Sequence, residues 1–99
     1  MKQNAVQKKS YLFVLSLDGG EYYINQTQNL QHEIKQHYLG HKPHTNNRNP
    51  QLVWSEIMTG EDSDLEKQVE YTRKMYQQDP DGMLYRLQSR LPLGGIIWG

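Results

Sequence analysis

Cysteine is absent from the 99 residues, and with it go disulfide frameworks and thiolate metal sites. Long apolar runs are missing too. No stretch approaches the ~20 residues that a membrane-spanning helix needs, and the N-terminus lacks the apolar core of a secretory signal. Net charge is zero, with 11 Lys and Arg against 11 Asp and Glu. That balance argues against a chain built mainly to hold nucleic acid, since covering phosphates takes a surplus of cations. Apolar material is scarce, at 35% of residues, which suits one small domain with one modest core. Seven tyrosines and two tryptophans must then carry much of the packing. A cytoplasmic protein is the expectation, without a membrane partner.

What is present begins with the run from Tyr11 to His37, YLFVLSLDGGEYYINQTQNLQHEIKQH. Tyr11 to Leu17 is apolar, aromatic and β-branched, as a strand on a pleated surface requires. Asp18-Gly19-Gly20 offers the positive φ of a hairpin turn, and Glu21 to Ile24 resumes an extended pattern. Asn25 to Thr27 are candidate caps for a helix with Leu30, Ile34 and His37 on one face. Gly40 is a natural place for that helix to end. Residues 1–10 read as a flexible leader.

His41 to Pro50 has no strand or helix period and reads as a polar loop. Gln51 to Ile57 predicts a third short strand. Asp62 or Ser63 then caps a second helix with Leu65, Val69, Thr72 and Tyr76 as its apolar stripe. Its acidic start and its late Arg73-Lys74 match the helix dipole. Asp79-Pro80-Asp81-Gly82 breaks it, and residues 79–99 form a separate C-terminal part: a helical segment with Leu84, Leu87 and Leu91, then an apolar tail, Leu93 to Gly99. Such a tail either folds back on its own domain or mediates self-association. The expected fold is α+β: a small, mainly antiparallel three-stranded sheet flanked by helices.

Within residues 11–78 this succession resembles the GIY-YIG nuclease domain, in the form of its small single-domain members. Tyr23, Thr27, Leu30, Ile34 and His37 stand at the family's spacings, and Gly40, Thr45, Pro50 and the strand LVWSE echo its loop and third strand. Three positions depart from the family. Phe13 stands where its first motif has tyrosine, Asn25 where its second has glycine, and Glu33 where its helix has arginine.

In the active family the resemblance implies that tyrosine helps activate water, a helix glutamate holds Mg or Mn, and arginine stabilises the phosphate. That division of labour suits phosphodiester cleavage, which needs a nucleophile, a Lewis acid and cationic donors. Here Tyr23 and His37 are the vestigial catalytic candidates. Phe13 has no proton to give or accept, and Glu33 reverses a charge beside the scissile phosphate. The metal position falls on Gln68 in an ungapped match, or on Glu70 with a two-residue insertion; Glu66 is a weaker candidate. Each of the three also reads as solvated helix surface. The resemblance therefore implies a degenerate domain that binds an unidentified protein partner or regulates, needing no cofactor. The alternatives are an active metal-dependent endonuclease and a non-catalytic nucleic-acid binder.

Charge is uneven along the chain: residues 1–48 hold six Lys and Arg against three Asp and Glu, residues 49–99 five against eight. Lys35, Lys42 and Arg48 are candidates for a weakly basic face. His32, His37, His41 and His44 lack the HExxH arrangement or paired cysteines of a zinc site.

Overall fold

Strand β1 (Lys8–Leu17) is the middle strand of a three-stranded antiparallel sheet, between β2 (Glu21–Thr27) and β3 (Gln51–Gly60). Helices α1 (Leu30–Tyr38) and α2 (Asp62–Gln78) complete an α+β domain. The computed structural model describes residues 7–83. Leu84, Leu87, Leu91 and the tail from Leu93 to Gly99 lie outside them, and so does the question of self-association through that tail.

Four consecutive residues of β1, Leu12 to Leu15, are at most 2% exposed. Successive strand side chains point to opposite faces, so an unbroken apolar run marks a strand covered on both sides. Leu12 and Val14 meet Ile24, Met58, Leu65, Val69 and Tyr76 on the α2 face. Phe13 points the other way, its ring centroid 5.7 Å from His37 of α1.

Several boundaries differ from the sequence reading, and for β1 and β3 the reason is that β1 is longer than its apolar run. It starts at Lys8, inside the supposed leader, and Lys8, Lys9 and Ser10 pair with Gly60, Thr59 and Met58. That pairing extends β3 three residues past Ile57. On the other side, Tyr11 and Leu12 pair with Thr27 and Gln26. Gln26 and Thr27 thus belong to the sheet ladder and do not cap α1. Asn29 is the cap, its side-chain oxygen accepting from the His32 N–H at 3.1 Å, as short polar residues do at a helix start. Glu61, with extended backbone, is likewise the N-cap of α2 in place of Asp62 or Ser63; Asp64 Oδ2 accepts from the Glu61 N–H at 3.1 Å.

The hairpin uses Gly19 and Gly20 at φ +90° and +77°, and α1 ends on Gly40 at φ +81°. These are left-handed conformations that glycine adopts without strain. Arg48 ties the 41–50 loop to the hairpin: its guanidinium donates to the Asp18 carbonyl at 2.8 Å and pairs with Glu21. A bulge at Val53, between the Val14–Trp54 and Leu15–Leu52 pairs, bends β3 beside that loop.

Helix α2 buries Leu65, Val69 and Tyr76, while Glu66, Lys67 and Glu70 stay exposed. Thr72 is half-buried. Leu65→Ala should therefore cost about 2–5 kcal/mol in a denaturant melt, as buried Leu→Ala changes do, whereas Lys67→Ala should stay within about 0.5 kcal/mol. Equal effects of the two would show that α2 presents a different face to the sheet.

Candidate functional site

On the α1 face, side chains far apart in sequence converge on His37. One turn before it on the helix, Glu33 is its neighbour by i,i+4 spacing. Thr45 arrives from the loop that Arg48 holds, and Phe13 and Tyr23 come from β1 and β2. His37 Nδ1 lies 2.7 Å from Thr45 Oγ1, and Nε2 lies 3.1 Å from Glu33 Oε2. Both His37 and Thr45 are buried.

The partners fix the tautomer. A carboxylate only accepts hydrogen bonds, so Nε2 carries the proton and donates it to Glu33. Nδ1 then accepts from the Thr45 hydroxyl. Lys42 Nζ, 3.3 Å from the same Glu33 oxygen, balances the carboxylate. The result is a continuous chain from hydroxyl to imidazole to carboxylate to ammonium. Its order matches that of a nucleophile relay, but Thr45 is fully buried, so its hydroxyl is a structural donor. Burial lowers the His37 pKa from 6.5, and the charges of Lys42 and His44 lower it further; the hydrogen bond and charge of Glu33 oppose them.

Aromatic rings enclose the imidazole. Tyr23 and Phe13 lie 5.1 and 5.7 Å from it, centroid to centroid. His44 stacks on the outer side of this group, 5.7 Å from the Tyr23 ring at 24°. The Tyr23 hydroxyl accepts from Asn25 Nδ2 at 3.1 Å.

The fold thus brings Tyr23 and His37 together, along with Phe13, Asn25 and Glu33. It does not bring the metal candidates to them. Glu66, Gln68 and Glu70 are exposed on α2, across the sheet from His37. Glu70 pairs with Arg73, whose Nε donates to the Ile24 carbonyl, and Glu66 accepts from Gln26. Among the described residues no three His, Asp or Glu side chains gather at one point.

The basic face is also changed by pairing. Lys42 is held by Glu33 and Arg48 by Glu21, while Lys35 is exposed. Sequence reasoning missed Lys42 and His44 as members of the cluster and Thr45 as the partner of His37. The eight-residue separation of Thr45 from His37 carries no periodic signal, because a loop intervenes.

No protein-family model, curated protein or solved structure matches this chain. Among the described residues no helix is long and apolar enough to cross a membrane.

Two outcomes follow from the geometry. Thr45→Val keeps the shape but leaves His37 Nδ1 buried without a donor, which should cost about 1–3 kcal/mol. Because the folded His37 pKa is depressed, the unfolded chain binds more protons once pH falls below 6.5. The His37 contribution to stability is therefore present above that pH and lost as pH falls toward the folded pKa. Denaturant melts between pH 7.5 and 5 should show this slope, and His37→Gln should flatten it. An unchanged slope in the variant would place the titration elsewhere.

Proposed function

We propose that this domain is a degenerate GIY-YIG-like module that binds or regulates and does not cleave nucleic acid. One observation carries the reading: the Glu33 carboxylate, at the position matched to the family's arginine, is bound to His37 and Lys42. A phosphate approaching this cluster would meet a neutralised ion pair in place of a free cation. Phe13, at the position matched to a tyrosine, is fully buried and serves as packing for His37 and Tyr23. The cluster reads as a former reaction centre converted into a hydrogen-bonded core.

The pairing of Lys42 and Arg48 also favours a protein partner over nucleic acid, since binding to phosphates draws on unpaired cations. A cytoplasmic location fits the cysteine-free composition.

The purified protein should show no Mg²⁺- or Mn²⁺-dependent cleavage of DNA or RNA. Cutting that Tyr23→Phe abolishes would overturn the proposal in favour of an active endonuclease. Tight nucleic-acid binding with a steep salt dependence, without cleavage, would instead favour a nucleic-acid-binding module.

A further inference from the structure

A cavity lies on the other face of the sheet from His37, between α2 and β3, and owes nothing to the reading above. It holds about 210 Å³ and is lined chiefly by Leu12, Trp54, Glu56, Tyr71, Tyr76 and Met83. One water occupies ~30 Å³ in the liquid, so there is room for a small organic molecule. Two features of its wall are unexplained by packing alone.

The first is Tyr76. Its side chain is buried, yet among the described residues its hydroxyl has no hydrogen-bond partner. Buried polar atoms are rarely left this way, because desolvation without a partner is costly. The second is Glu56, which is half-buried on the sheet face. Its Oε1 accepts from Trp54 Nε1 at 3.0 Å, but none of the ion pairs among the described residues involves it. A partly desolvated carboxylate favours a cation beside it. The two groups feel each other: burial first, then Tyr22 and Glu56, push the Tyr76 pKa up to about 12.

We infer that this cavity binds a small alkylammonium ion. The chemistry follows from the wall. Glu56 supplies the counter-charge, and the lone pairs of the Tyr76 hydroxyl accept an N–H. The face of Tyr71 attracts a cation through its quadrupole. Leu12 and Met83 accommodate the alkyl chain. A primary ammonium meets all of these demands. A quaternary ammonium lacks the N–H for Tyr76, and a metal ion would find only one carboxylate.

The test is a titration of the full chain with n-propylammonium chloride at pH 7, followed by amide and indole NMR shifts. Saturable shifts should centre on Trp54, Tyr71 and Tyr76, while KCl and n-propanol at equal concentrations give none. Glu56→Gln should weaken binding by about tenfold or more, as loss of a charge-assisted hydrogen bond does. Tyr76→Phe should weaken it by roughly threefold with the melting temperature of the free protein kept or raised, because an orphan hydroxyl is removed. That combination separates a ligand contact from a structural one even if Glu56→Gln folds poorly. Three results would overturn the inference: no saturable shift up to ~50 mM, beyond the millimolar affinities of weak sites; an equal response to n-propanol; or Tyr76→Phe binding as tightly as the natural chain.

Discussion

Everything in this domain depends on β1 being buried from both sides. A strand alternates its side chains between faces, so the run Leu12 to Leu15 can be sequestered only if each face receives its own cover. Helix α2 supplies one cover with Leu65, Val69 and Tyr76. The other is smaller and is made by α1 and the 41–50 loop around His37. The two candidate sites occupy these two layers, and β1 separates them.

The layers differ in how they are held. The α2 layer is apolar and depends on area removed from water. The α1 layer is thin: Leu30 and Ile34 are half-buried, and Tyr38 and Leu39 are exposed. Its centre is a histidine. Burying an imidazole is tolerable only when both ring nitrogens are satisfied, and here Thr45 and Glu33 satisfy them. Directional bonds thereby do in this layer what apolar bulk does in the other. They also commit Thr45 to His37, and Glu33 to both His37 and Lys42.

The two faces also differ in charge accounting. On the α1 side, Glu33 is matched by Lys42 and Glu21 by Arg48. On the α2 side, none of the ion pairs among the described residues involves Glu56, and the Tyr76 hydroxyl beside it has no hydrogen-bond partner among them.

The sequence by itself determined the elements: the apolar run of β1, the Asp18-Gly19-Gly20 hairpin, the stop at Gly40, and the Leu65, Val69 and Tyr76 stripe. These are local signals, written in periodicity and in backbone preference, and they suffice for an α+β class with a three-stranded antiparallel sheet. The family resemblance singled out Tyr23, Glu33 and His37, but it could not say what they touch. Only the tertiary structure decided that Gln26 and Thr27 join a ladder before the helix begins, since their cross-strand partners, Leu12 and Tyr11, are fourteen and sixteen residues away. Only it placed Thr45 on His37 and Lys42 on Glu33, because a loop without period sets their position. It alone separated Glu70 from Tyr23, since which face a helix covers is settled by what packs beneath it.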